Sequence, residues 1–393
     1  MSFLLNHYRQ GSLRHLSLSK EACHTQIMSM LGEEEGNMRC VAQFEVGYTG
    51  YLDHELRVTG PLPEFAREPV QLIAAYRAMA SARAFDRKAI NLQRTGQLGT
   101  FASCLGEEAI AVAVGLAMRP EDVLLPMYRH HGAYLSRGVR MAELLAYWGG
   151  DERGMDFQSV REDFAVAVPI ATQAPHAVGV GYAFKYRKEP RVAVCLLGDG
   201  ATSKGDFYEA INAAGVWELP VVFVVANNLW AISVPRTLQS RAQTLAQKAI
   251  AAGFEGEQVD GNDYIAVRDR LDQALQRARS GQGPCLIEAL TYRMGDHTTA
   301  DDSRRYRDAE EVEAWQRRDP LDRLRGYLLQ SGAWSEADEE ALQVECQEAA
   351  DQAAQLYLER PLQPPASMFD YLYERLPRAY AEQRKALADP NDV

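Results

Sequence analysis

RVAVCLLGDGATSKGDFYEAINAAGVWELPVVFVVANNLW, residues 191–230, decides the fold. Val192 to Leu197 and Val221 to Ala226 are short, unbroken apolar runs bounded by turn signals, the pattern of strands buried on both faces of a parallel sheet. Between them Phe207, Ile211, Ala214 and Trp217 recur at helical spacing. The stretch therefore reads as a βαβ unit, and the fold class it predicts is α/β with a doubly wound, mostly parallel sheet. Ligands of such sheets bind beyond the carboxyl ends of the strands, where Gly198-Asp199-Gly200 and Asn227-Asn228 both fall.

Those two strand ends carry the chemistry. Gly198 and Gly200 let the backbone approach a bulky anion, and the amides opening the next helix can point at phosphate. Asp199 lies between them and would repel phosphate unless a cation sat between the two. A hard divalent cation such as Mg²⁺ wants a few protein oxygens plus phosphate oxygens, and Asp199 with the Asn228 amide can supply them. A lone GDG is an ordinary turn signal. A strand followed by G-x-G also opens a dinucleotide fingerprint. Here Ser203 holds the third glycine position and asparagines stand where an acidic ribose partner is expected, which disfavours NAD. Taken together, the two strand ends specify a metal-bridged diphosphate site.

This pair resembles the thiamine diphosphate motif, which opens with GDG and closes with NN about one βαβ unit later. More narrowly, GDGATSKGDFYEAINAAG and NNLWAISVP are similar to the α subunit of the E1 component of 2-oxo acid dehydrogenase complexes, and the likeness runs from about Tyr76 to about Tyr327. The resemblance implies that Asp199, Asn228 and the main-chain carbonyl of Trp230 bind Mg²⁺, with Gly198, Gly200 and Ala201 in the cofactor cradle. Tyr128 and Arg129, a phenol and a planar fork of donors suited to diphosphate, match a pair that contacts the cofactor diphosphate. Ile170 matches an apolar wedge that bends thiamine diphosphate into its reactive V shape, with Val168 beside it. His297, in TYRMGDHTTADDSRRY (291–306), matches a residue that contacts the cofactor or assists acyl transfer, and is the catalytic candidate. Thr298 stands where animal relatives carry a regulatory phosphoserine, and Thr172 and Gln173 stand where some relatives hold potassium.

Composition agrees with an enzyme subunit. A chain of 393 residues holds one large α/β domain with appendages. Its net charge of −12 gives no general attraction to nucleic acid, and no apolar run is long enough to span a bilayer. Cys23, Cys40, Cys104, Cys195, Cys285 and Cys346 are scattered without C-x-x-C spacing, so neither a zinc site nor a disulfide framework is expected. These features fit a bacterial-type cytoplasmic location, or an organelle matrix after loss of a targeting segment.

The remaining chain frames the site. Residues 1–64 follow no sustained period, with Gly32 to Gly36 as a solvated loop, and are read as an N-terminal arm ending at Gly60-Pro61-Leu62-Pro63. Residues 65–330 form the cofactor-binding α/β domain and 331–393 a helical C-terminal segment. Glu68 to Arg94 and Gly106 to Met118 read as helices; Glu107 and Glu108 are assigned to charge at a helix N-terminus. His130 and His131 are taken as loop residues. The glycine-rich Gly149 to Gly154 loop has no histidine or lysine near it. Ala177, Gly179, Gly181 and Ala183 make one helix rich in small residues, which fits either a subunit interface or internal packing. Cys285 to Leu290 is another buried strand.

The resemblance implies oxidative decarboxylation of a 2-oxo acid, with the thiazolium as electron sink, and acyl transfer to the lipoyl domain of an E2 acyltransferase. It also implies a β subunit in an α2β2 assembly, because the family draws the glutamate that activates the aminopyrimidine from that chain. Pyruvate is the first substrate, 3-methyl-2-oxobutanoate the second. An acetoin dehydrogenase α subunit and a non-catalytic assembly or regulatory subunit are the other classes.

Overall fold

The two apolar runs become neighbouring strands in a six-stranded sheet. In chain order its strands are β1 (Tyr48–Thr49), β2 (Val123–Leu125), β3 (Ala193–Gly198), β4 (Val221–Asn227), β5 (Gly256–Asp260) and β6 (Cys285–Leu290). Their spatial order is β1-β5-β6-β4-β3-β2, and every pairing is parallel. The structure, a computed structural model, describes residues 40–388, and a compact unit begins at Val46. Cys23 and the Gly32 to Gly36 loop reading lie outside the described residues.

Alternation along β3 and β4 accounts for the apolar runs. Val194, Leu196, Val222, Val224 and Ala226 enter the core on one face, while Ala193, Cys195, Leu197, Val221, Phe223 and Val225 enter the core on the other. Each such Val, Leu or Phe contributes about 1.5–3 kcal/mol by leaving water. Cys195 is fully buried and burial pushes its thiol far above the ordinary range, the state of an inert core residue.

One face of the sheet is covered by α1 (Pro69–Arg94), α2 (Glu108–Ala117), α3 (His131–Ser136) and α4 (Met141–Trp148). Leu72, Tyr76, Met79 and Phe85 of α1 are buried as their spacing predicts. Helix α2 is apolar all round from Ala109 to Val114, and that stretch is fully buried. Its Gly115 allows α3 to approach, since a methyl there would lie 2.6 Å from the Ala133 carbonyl.

The opposite face carries α5 (Gln173–Arg187) and α6 (Gly205–Val216). Phe207, Ile211 and Ala214 point inward, but α6 ends at Val216 and Trp217 is half exposed against Tyr182 of α5. In α5, Ala177 and Gly181 are buried and Gly181 faces Val221, whereas Gly179 lies on the outer side. The small-residue stripe thus serves internal packing on one side of the helix.

Beyond β4 come α7 (Arg236–Gln239), α8 (Gln247–Ala251) and α9 (Tyr264–Arg279), then α10 (Ala309–Gln316), α11 (Pro320–Gln330), α12 (Glu336–Leu358) and α13 (Arg378–Ala388). Helix α12 crosses back over α1: the Tyr76 hydroxyl donates to Glu339 at 2.7 Å and Trp334 donates to the same carboxylate at 3.1 Å. The Gly149 to Gly154 loop is a seat for this part of the chain. Gly149 packs under Tyr357, and Asp151 pairs with Arg360 at 2.8 Å. Among the described residues no helix is long and apolar enough to cross a membrane.

Register brings the important turns to one level. Gly198 pairs with Ala226, and Asn227 with Leu290, so GDG, NN and the segment starting at Thr291 all leave the sheet at the same end.

Candidate active site

A cavity of about 340 Å³ opens at that end of the sheet. Tyr128, Arg129, Ile170, Gly198, Asp199, Gly200, Ala201, Asn228, Trp230 and His297 all line it. Val168 lies outside the lining, with half its surface in solvent. The glycines of GDG are required by neighbouring protein as well as by any ligand. A Cβ on Gly200 would lie 2.8 Å from the Cβ of Ala231, and one on Gly198 would lie 3.1 Å from Met127 Cε.

Asp199 is 3 % exposed and forms no ion pair among the described residues. Its Oδ2 accepts a hydrogen bond from Gln239 at 3.0 Å. Burial pushes the carboxyl up to about 6, against the opposing pull of Gln239 and the Gly200 amide. A buried carboxylate without a cation is costly, so a divalent ion fits this position on chemical grounds. Among the described residues no three His, Cys, Asp or Glu side chains gather as a metal cluster. The donors here are one carboxylate, one amide oxygen and one carbonyl, a set that a hard cation completes with phosphate oxygens and water.

The NN turn is strained into place. Leu229 adopts φ 68°, Ala171 φ 69° and Ile232 φ 55°, left-handed conformations that non-glycine residues rarely hold. All three sit in or beside the cavity, where such strain belongs to a functional site. Asn228 Oδ1 accepts from the Trp230 amide at 3.2 Å and its Nδ2 donates to Glu107 at 2.8 Å. The Trp230 carbonyl accepts from Arg293 at 3.1 Å, which leaves its second lone pair for a cation.

Arg129 is fully buried. It donates to the Ser103 carbonyl at 2.5 Å and to the His297 carbonyl at 3.0 Å, while its Nε makes no hydrogen bond and lies 3.6 Å from Glu107 Oε1. The Arg129 guanidinium brings positive charge to a cavity also lined by Tyr128, which suits an anionic ligand. His297 Nδ1 lies 3.3 Å from both Arg129 Nη2 and Arg293 Nη1. Burial, followed by these two guanidinium charges, pulls its pKa down to about 4. The ring is therefore neutral near pH 7. With Nδ1 as acceptor, the proton sits on Nε2.

Two readings of the sequence are corrected. Glu107 and Glu108 do stand at the start of α2, but they are not merely helix-end charges: both are fully buried, and Glu107, the N-cap of α2, makes no side-chain capping bond. Glu107 instead joins the site through Asn228 and His130, while Glu108 pairs with Arg83. His130 and His131 are buried too, His131 being the first residue of α3. Sequence reasoning also missed Gln239 and Arg293, whose roles depend on contacts across the fold.

His131 packs within an aromatic cluster, stacked on Phe101 at 5.0 Å, with Nε2 3.2 Å from the Ala102 carbonyl. Burial pulls its pKa down to about 3. Since the unfolded histidine titrates near 6.5, the unfolded state binds the extra proton first, and stability falls as pH drops below that value. We expect wild type to lose about 1.4 kcal/mol per pH unit through this group between pH 6.5 and 4 relative to His131→Phe. Urea melts of both chains at several pH values measure the difference, and a pH-independent gap would exclude it.

Comparison with known proteins decides the family. The model described as "Dehydrogenase E1 component" matches residues 76–366. The chain belongs to the dehydrogenase E1 component family. A relative from Mycobacterium tuberculosis H37Rv, 3-methyl-2-oxobutanoate dehydrogenase subunit alpha, is 40 % identical over 342 residues, covering 87 % of this chain and 92 % of the relative. Pyruvate dehydrogenase E1 component subunit alpha of Mycoplasma genitalium is 38 % identical over 336 residues, covering 85 % and 93 %. The Staphylococcus aureus Mu50 protein of the same name is 40 % identical over 315 residues, covering 80 % and 85 %. The E1 family is thiamine diphosphate-dependent.

Proposed function

We propose that this chain is the α subunit of a 2-oxo acid dehydrogenase E1 component, acting with a β subunit in an α2β2 assembly and passing the acyl group to the lipoyl domain of an E2 acyltransferase. The observation that carries the reading is the convergence of buried Asp199 and Asn228, from adjacent strand ends, on a cavity lined by Arg129 and His297. In this reading Asp199, Asn228 and the Trp230 carbonyl hold Mg²⁺. Thiamine diphosphate, when bound, supplies the electron sink for decarboxylation. Tyr128 and Arg129 donate to its diphosphate, with Gly198, Gly200 and Ala201 alongside. Ile170, which lines the cavity, offers an apolar support. His297 presents Nε2–H as a hydrogen-bond donor and Nδ1 stays occupied by the two arginines, so it holds a proton at neutral pH without carrying charge. The assembly is assigned to the cytoplasm, with no role in nucleic-acid or membrane binding.

Pyruvate is the substrate proposed first. The 40 % identical mycobacterial relative, named for 3-methyl-2-oxobutanoate, supports the branched-chain alternative. Purified α chain with thiamine diphosphate and Mg²⁺ is expected to decarboxylate either acid at least about 10²–10⁴-fold more slowly than α with β, the range lost with a proton-transfer group. Parallel rates with the two acids then assign the substrate. Comparable turnover by the α chain alone would overturn the proposal.

A further inference from the structure

An asparagine amide can present oxygen or NH2 with almost the same shape, but only the oxygen ligates a hard cation. Something must choose. We infer that Glu107 is a positioning residue that turns the Asn228 amide so that its oxygen, not its nitrogen, is available to the metal. The inference rests on the metal reading proposed above and extends it to a residue outside the donor set.

The geometry is specific. Glu107 is 0 % exposed, and its Oε1 accepts from Asn228 Nδ2 at 2.8 Å while Oε2 lies 3.0 Å from His130 Nε2. An ionised carboxylate accepts only, so it can receive the NH2 end of Asn228 and never the oxygen end. Arg129 Nε lies 3.6 Å from Oε1, which keeps the carboxylate's charge compensated inside the fold. The neighbouring asparagine is handled in the same way. Asn227 Nδ2 donates to buried Glu288 at 2.6 Å, and Glu288 is held in turn by the Leu245 and Ala246 amides at 2.7 and 3.0 Å. Both amides of the NN turn are thus oriented by buried carboxylates from other elements. A helix-capping role does not compete, because the Glu107 side chain makes no capping bond.

The test reverses the polarity of the pair in the assembled α and β chains. Mg²⁺ affinity at fixed thiamine diphosphate is read by tryptophan fluorescence, Trp230 lying in the cavity, for wild type, Glu107→Gln, Asn228→Asp and the double variant. In the Asn228 background, Glu107→Gln removes the acceptor-only partner and should weaken Mg²⁺ binding about tenfold, the lower end for outer-shell partners. In the Asn228→Asp background two carboxylates face each other. There Glu107→Gln supplies an NH2 donor to the introduced carboxylate and should strengthen Mg²⁺ binding by about as much. A change of sign between backgrounds is the expected result. A role confined to packing or overall field would give the same sign in both, and that outcome, or no effect in either, overturns the inference. Both substitutions preserve side-chain size, and thermal melts of the same samples establish folding. Asp199→Ala separates the two levels: an unchanged Mg²⁺ midpoint in that variant sinks the metal reading itself, whereas a lost midpoint with no sign reversal sinks only the role of Glu107.

Discussion

Asp199→Ala is expected to abolish Mg²⁺-dependent binding of thiamine diphosphate by the assembled enzyme and to lower turnover by at least ~10³-fold, about 4 kcal/mol of barrier. Removing an outer-shell partner of a metal typically costs 10–100-fold in affinity or activity, and Asp199 is the charged donor itself. The variant should nonetheless fold. Burial holds the Asp199 carboxyl up to about 6, above its ordinary value of 3.8, so the folded chain binds that proton more tightly than the unfolded one. The carboxylate therefore costs stability above about pH 6 and nothing below the ordinary range. At pH 7.5 the ligand-free alanine variant should melt no lower than wild type, while losing the upward shift that Mg²⁺ with cofactor produces. Fluorescence titration and CO2 release measure the two losses. Wild-type turnover in the variant would defeat the proposed chemistry.

Arg83→Met is expected to cost about 3–5 kcal/mol of folding stability, the range for stripping one partner from a buried ionic group. Arg83 lies between the carboxylates of Glu108 and Asp319, all three nearly inaccessible, with Asp319 at 3.0 Å. Glu108 also accepts from the Gly106 amide at 2.9 Å, and Asp319 caps α11 through the Leu321 amide at 2.8 Å. Without the guanidinium two negative charges remain inside with no counter-charge. Adding Glu108→Gln and Asp319→Asn should recover most of the loss, because neutral groups of the same shape need no ion. Urea unfolding measures both effects. A cost under about 1 kcal/mol for Arg83→Met would place the triad among solvent-screened pairs.

What could be read in advance follows from the range of the forces involved. Strands β3 and β4 are buried on both faces, so each appears in the sequence as one apolar run, and the turns after them fall where parallel sheets bind ligands. Helix α1 was legible from spacing for the same local reason. Strand β1 has two residues, Tyr48 and Thr49, and owes its existence to pairing with β5, which no local pattern announces. The cavity was legible where residues carry their own chemistry, as at Asp199, Asn228 and Arg129. Glu107 was misread because an acidic residue at a helix start has a sufficient local explanation, and its partner Asn228 lies 121 residues further on. Arg293 was passed over within a segment already singled out, since only the folded turn brings the Trp230 and Ile232 carbonyls to its guanidinium.

The crossing of α12 over α1 has a consequence for how the protein is made. Tyr76 and Glu339 are separated by 263 residues, so a ribosome working at roughly 5–20 residues per second releases one of them about 13–50 s before the other. For that interval the nascent polypeptide displays the apolar side of its first long helix without the element that covers it. Holdase chaperones are the natural guardians of such a delay, and a premature stop codon just after Trp334 would make the exposure permanent.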